Sequence, residues 1–250
     1  MITTVHILDV PFADVTEREL IDLLDEGMGA GMQRQVCFVP TNSILAARKD
    51  EAVKKTYEEA DFVICDGVPV WWASSFLGKP LKQRLTGFDF FPHFIAHCAE
   101  KGYRIFLMGA SDGVAAALTN KYRSAYPNIQ IVGNYAPPFM PVFSDEENKK
   151  VVSMINESGA DVLFVSLTAP KQDLWIHEHL PSLHMKLAMG VGAAFDAENG
   201  SIRRAPVLMQ QMGLEWFFRF LQEPRRLFKR YFLEAPVFIL LIIKAKLKHD

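Results

Sequence analysis

Residues 61–67 read Asp-Phe-Val-Ile-Cys-Asp-Gly. The run Phe62 to Cys65 is unbroken by polar residues and ends on an Asp-Gly pair. A short apolar run closed by a turn signal is the mark of a strand buried on both faces. Five more runs of this kind follow the same rule: residues 36–39 (VCFV), 103–108 (YRIFLM), 129–132, 161–167 (DVLFVSL) and 186–191 (KLAMGV). Between them lie helical stretches at 43–60, with Ser43 as N-cap, at 88–100, at 114–126, stopped by Pro127, at 145–158, with Ser144 as N-cap, and at 171–179. Buried strands alternating with helices predict an α/β fold, a Rossmann-like, mostly parallel sheet with helices on both faces.

In such sheets ligands bind beyond the carboxyl ends of the strands. The residues to watch are therefore Asn42, Asp66, Gly109, the loop from Thr168 to Gln172, and Gly192. From about residue 201 the texture changes to a helical, aromatic and basic tail. The expected division is an α/β core over 1–200 and a helical, membrane-binding C-terminal appendage over 201–250.

The chain has 250 residues, half of them hydrophobic, and a net charge of −2. That near-neutral total argues against general nucleic-acid binding. It hides an asymmetry: residues 216–250 carry eight basic and three acidic side chains, so a basic end sits on an acidic body. Such an end suits an anionic surface. Three cysteines (Cys37, Cys65, Cys98) without a CxxC spacing suggest reduced thiols in the cytoplasm. The N-terminal residues lack the basic and apolar regions of a secretory signal. The longest apolar run, 236–243 (PVFILLII), is too short to span a bilayer but suits its interface.

Several constellations could carry chemistry. Asp66 at a strand end is placed to act as a general base, although Asp-Gly is also a common turn pair and local sequence leaves both readings open. Gly109, in Met108-Gly109-Ala110-Ser111-Asp112-Gly113, follows a strand and opens a helix. Small residues there let amides approach a phosphate, and close helix–strand packing explains them equally well. Arg84 lies in the polar loop Lys82-Gln83-Arg84-Leu85-Thr86-Gly87 and suits a bidentate grip on phosphate, or simple solvation. In the tail, Arg226 and Arg230 are four residues apart and share a helix face beside Phe228, Tyr231 and Phe232. No D-x-D motif occurs, so no metal clamp is indicated and no cofactor is expected. Positive charge opposite a diphosphate would come from arginines and helix termini.

Nine short motifs stand in one order. They are Ala60-Asp61 with Cys65-Asp66-Gly67, then Arg84-Leu85-Thr86-Gly87, then Phe106-Leu107-Met108-Gly109, then Tyr126-Pro127 with Ile131-Val132-Gly133. Next come Ala169-Pro170-Lys171-Gln172, the run from Gly190 to Asp196, and Arg204-Ala205-Pro206. Last are Gly213-Leu214-Glu215-Trp216, and Glu223-Pro224-Arg225-Arg226 through Lys229-Arg230-Tyr231. Together they make the chain resemble the WecG/TagA/CpsF glycosyltransferases, glycosyltransferase family 26.

The resemblance implies an inverting, metal-independent transfer from a UDP-sugar to a polyprenyl-diphosphate-linked sugar in bacterial cell-surface polysaccharide or teichoic acid synthesis. The usual donor is UDP-N-acetylmannosamine and the usual acceptor N-acetylglucosaminyl-diphospho-undecaprenol. Some members transfer glucose. It further implies Asp66 as general base, Asn42 in the donor pocket, and Arg84, Thr86, Gly109, Gln172 and Gly192 around the substrates. Arg225, Arg226 and Arg230 would close over the diphosphate. It implies peripheral association with the inner face of the plasma membrane, and self-association. The chain departs from the pattern at Pro40, where the family usually has Thr, at Ser166 to Ala169, usually glycine-rich, at Asp173, usually Glu, and at the bulky Trp71-Trp72. Two other classes stay open on residues alone. One is a nucleotide-dependent oxidoreductase, although no G-x-G-x-x-G follows the first strand. The other is a non-catalytic membrane scaffold.

Overall fold

The computed structural model describes residues 2–203, 205–206, 208–209, 212 and 214–249, without the side chains of Glu215, Arg226 and His249. An antiparallel hairpin, β1 (Thr4–Ile7) and β2 (Val10–Ala13), leads into α1 (Glu17–Gly29). Then follow β3 (Arg34–Val39), α2 (Thr41–Ala47), α3 (Glu51–Glu59), β4 (Phe62–Cys65), α4 (Val68–Phe76) and α5 (Gly87–Lys101). The second half runs β5 (Arg104–Gly109), α6 (Val114–Ala125), β6 (Gln130–Tyr135), α7 (Asp145–Ser158), β7 (Val162–Ser166), α8 (Lys171–His179), β8 (Leu187–Gly190) and α9 (Ala194–Glu198). The tail holds α10 (Glu215–Gln222), α11 (Pro224–Phe228), a π-helical turn (Lys229–Glu234) and α12 (Ala235–His249).

β3 to β8 form one parallel sheet in the order β4-β3-β8-β7-β5-β6. Period-two alternation sends Val36, Phe38, Phe62, Ile64, Ile105 and Leu107 to the face covered by α1, α5 and α6. Cys37, Val39, Val63 and Cys65 face the hairpin, α2 and α3, and Phe106, Met108, Leu163 and Val165 face α7 and α8. Both faces are thus buried, as the unbroken apolar runs demand. All six sheet strands fall where the sequence pattern puts them.

One expected helix is two. The stretch 43–60 breaks between Ala47 and Glu51, and Asp50 caps the second piece by accepting from the Ala52 amide (2.9 Å). Ser43 is no cap but a buried residue inside α2, whose N-cap position is Pro40. The hairpin turn carried no glycine to announce it: Leu8 and Asp9 take the left-handed conformation themselves (φ 47° and 73°). Ser144 caps α7 as expected, accepting from the Glu147 amide at 3.2 Å.

The tail is helical, and its last helix is partly built into the core. Phe238 (2 % exposed) and Ile242 (5 %) join the cluster formed by Val5, Ile7, Val39 and Ile44. Leu241 packs against the same cluster, while Val237, Ile239, Leu240 and Ile243 face outward. Among the described residues no helix is long and apolar enough to cross a membrane.

Candidate active site

Asp66 follows β4 directly, and its amide donates to the Val39 carbonyl at the end of β3 (3.3 Å). Gly67 then turns the chain into α4 at φ 99°, a conformation that favours glycine. The Arg84 loop is fastened beside this point, because the Leu85 amide donates to the Cys65 carbonyl (3.2 Å). Thr86 ends that loop by capping α5: its hydroxyl accepts from the Asp89 amide (3.2 Å) and donates to the Asp89 carboxylate (2.7 Å). Gly87 lies so close to β8 that a Cβ there would meet the Val191 carbonyl at 2.7 Å. Local packing thus brings the ends of β4, β3 and β8 and the start of α5 to one rim.

The tail reaches the same place. The Arg219 guanidinium of α10 lies over the Phe88 ring, 4.9 Å from its centroid, and pairs with Glu223 at 3.9 Å. Gln222 holds the end of α10 to the Arg203 backbone by two hydrogen bonds (3.0 and 3.2 Å). Trp216 meets Tyr231 edge-on (5.4 Å) and Phe220 meets Phe232 (5.2 Å), packing α10 against the π-helical turn that carries Arg230. π-helical turns of this kind recur at functional sites.

Electrostatics show what these placements achieve. Burial pushes the partly buried Asp66 carboxyl up to about 6, while the positive charges of Arg230, Arg84 and Arg219 pull it back down and Asp89 pushes it up. Three cations from three separate segments therefore act on one carboxylate. Of the residues named from sequence, Asp66, Arg84 and Arg230 are brought together. Arg219 was not singled out; its signal was faint, one arginine inside Trp-Phe-Phe-Arg-Phe, read as part of an interfacial stretch. Arg225 is exposed on α11. The Arg226 side chain, like Arg204 and Gly213 of the sequence motifs, lies outside the described residues.

The other named residues form a wall at the ends of β3, β5, β7 and β8. Asn42, in the first turn of α2, donates from Nδ2 to the Ala169 carbonyl (3.4 Å), while its buried Oδ1 has no partner. Gln172 is 1 % exposed, and its side-chain carbonyl accepts from the amides of Leu167 (3.3 Å) and Gly192 (2.9 Å). It therefore ties the loop after β7 to the loop after β8 from beneath. Gly109 has φ 113°, and a Cβ there would meet the Ser166 carbonyl at 2.3 Å. Close approach of β5 and β7 accounts for that glycine; the adjacent Ala110 amide donates to the same carbonyl (2.8 Å).

A carboxylate raised to about 6 and lying in the field of three arginines, at the carboxyl ends of a parallel sheet, suits proton abstraction next to a polyanion. Known proteins resemble this chain along most of its length. The family model described as "Glycosyl transferase WecG/TagA/CpsF family" matches residues 5–250. An N-acetylglucosaminyldiphosphoundecaprenol N-acetyl-beta-D-mannosaminyltransferase of Bacillus subtilis is 30% identical over 96% of this chain and 91% of its own length. One of the same name from Bacillus spizizenii is 30% identical over 79% of this chain and 74% of its own. Another from Staphylococcus aureus is 27% identical over 98% and 94%. With the match running through hairpin, sheet and tail alike, the chain belongs to the WecG/TagA/CpsF family of glycosyl transferases.

Proposed function

We propose that this transferase moves N-acetylmannosamine from its UDP donor to an N-acetylglucosaminyl-diphospho-undecaprenol acceptor, with inversion and Asp66 as general base. An acceptor hydroxyl oxygen bonds to the anomeric carbon as that carbon's bond to the diphosphate oxygen breaks. The electron pair leaves with UDP, and the hydroxyl proton goes to Asp66. The observation that carries the reading is the convergence of Arg230, Arg84 and Arg219 on that carboxylate. Guanidiniums so placed can bind a diphosphate and stabilise the charge that develops on it as the sugar departs. A carboxyl near 6 is mostly ionised at neutral pH and still basic enough to take a proton in the transition state. The relatives' names supply the acceptor and the N-acetylmannosaminyl group.

The polyprenyl tail of such an acceptor lies in a bilayer, so the enzyme works at the inner face of the plasma membrane. The tail supports this. Trp216, Phe217, Leu221, Phe228 and Phe232 are exposed, and Lys244, Lys246 and Lys248 follow on α12. Exposed aromatic and aliphatic side chains beside cations suit an anionic bilayer surface. Residues 1–200 form the sugar-transferring core and 201–250 the appendage that completes the site, and the enzyme self-associates. A screen of UDP-sugars against a short-chain polyprenyl-diphosphate N-acetylglucosamine tests the reading. UDP-N-acetylmannosamine should give turnover, and preference for another donor, such as UDP-glucose, would replace the assignment of the sugar.

A further inference from the structure

Beneath the wall formed by Asn42 and Gln172 lies a buried polar cluster that the proton transfer does not use. Its centre is Asp173, which is 0 % exposed, among Gln35 (1 %), Tyr57, Cys37 and Ser43. Tyr57 of α3 donates its hydroxyl to Asp173 Oδ2 (3.0 Å), and Gln35 of β3 donates to the Asp173 backbone carbonyl (2.9 Å). Asp173 Oδ1 has no hydrogen-bond partner, and neither has Gln35 Oε1. Oδ1 is pressed against β8, where a Cβ on Gly190 would meet it at 2.6 Å. The groups in contact with the carboxyl carry no positive charge. An anion there would be desolvated with no positive charge in contact to balance it, whereas an acid converts the unpaired Oδ1 into a donor.

We propose that Asp173 is a positioning residue, a proton-bearing acid that fastens the start of α8 to β3 and α3 and so holds Gln172 across the loops after β7 and β8. Burial supports this by pushing the carboxyl up to about 8, with the Tyr57 hydroxyl and then the Gln172 and Cys37 side chains pulling it back and the Asp66 charge adding to the rise. The adjacent Gln172 carbonyl gathers the Leu167 and Gly192 amides. Any slack at Asp173 therefore passes to both loops of the donor wall. The inference rests on the UDP-sugar reading of that wall.

The test is a double-mutant cycle in the full-length protein, read as UDP affinity by calorimetry and as kcat and donor KM. Asp173→Ala should weaken UDP and raise donor KM by about tenfold, with kcat at saturating donor within about threefold. Asp173→Asn, neutral and the same shape, should restore affinity to within about threefold of wild type. In a Gln172→Ala background, Asp173→Ala should cost less than about twofold more, because the route through Gln172 is already cut. Equal damage from Asn and Ala, or a full additive cost without Gln172, overturns the role given to Asp173. If Asp173→Ala does not fold, Tyr57→Phe removes the hydroxyl and keeps the ring. It should weaken UDP by about threefold, and only when Gln172 is present; an effect independent of Gln172 overturns the proposal. A wild-type protein that fails to bind UDP would instead overturn the donor reading, and this inference with it.

Discussion

Replacing Arg230 by glutamine should move the acidic limb of the pH–rate profile upward. Asp66 must be ionised to accept a proton, so activity is present above its pKa and lost as pH falls through about 6. Arg230 is the strongest of the three cations that hold that value down against burial. Both groups are partly exposed, so an effective dielectric between those of protein and water applies. A partly screened unit charge acting on a carboxylate is worth on the order of 1 kcal/mol, or a little under one pH unit. The midpoint should therefore rise from about 6 to about 7. The assay is kcat/KM for UDP release between about pH 5 and 9, which reports the free enzyme's ionisation. The plateau will also fall, since Arg230 faces the leaving diphosphate in this account, but a plateau loss alone does not displace the limb. Arg230→Lys keeps the charge and should leave the midpoint within a few tenths of a unit while lowering the plateau. A limb that stays in place with glutamine, or moves to lower pH, would refute the electrostatic coupling on which the site is built.

Further outcomes follow from the same geometry. The Asp66 carboxyl is raised from 3.8 to about 6, so its protonated form is favoured by folding and stability is lost as pH rises through that range. Asp66→Asn should stabilise the fold by about 1–3 kcal/mol at pH 7.5 and by little below about pH 4, a difference that thermal melts at the two pH values would show. Phe238→Ala should cost about 3–5 kcal/mol, because the ring is buried with Ile44 and Val39. Ala in place of the exposed Leu240 should cost under about 0.5 kcal/mol; equal losses in denaturant titrations would contradict the docking of α12. Trp216→Ser with Phe217→Ser should reduce binding to anionic vesicles by tenfold or more, on the order expected for two exposed aromatics. Unchanged co-sedimentation would remove α10 from the membrane contact.

The sheet was legible because a strand buried on both faces has to be apolar throughout, and few other local structures produce runs such as Phe62 to Cys65. The helix break at residues 48–50 was not, since Asp50 looks like any surface acid until its carboxylate is seen capping α3. The N-terminal hairpin escaped for a related reason. Its turn places Leu8 and Asp9, not glycine, at positive φ, and contacts with the core hold it there. In the site, Asp66 and Arg84 could be nominated by their place after a strand and by the ordered motifs, but not their meeting. That depends on tertiary hydrogen bonds of the Arg84 loop, from Leu85 to Cys65, from Lys82 to Asp14 and from Glu17 to Gln83. Arg219 was hidden because its position over Phe88 is a tertiary fact about the tail. Gln172 and Gly109 were named as substrate contacts, and the structure gives each of them work inside the scaffold as well. The sequence makes the tail a membrane-binding appendage that also closes over the site, and gives no sign that Phe238 and Ile242 share the core with the first strands. Amphipathic periodicity alone does not distinguish a face that meets lipid from one that meets protein.

The central claim is that Asp66 is the base of a UDP-sugar transfer. The most direct measurement compares wild type and Asp66→Asn with UDP-N-acetylmannosamine and a short-chain polyprenyl-diphosphate N-acetylglucosamine, reading turnover and UDP affinity on the same samples. Loss of a general base should lower kcat by about 10²–10⁴-fold while UDP binds within about threefold of wild type, because the arginines that hold the diphosphate remain. An Asp66→Asn enzyme with turnover within a few-fold of wild type would contradict it.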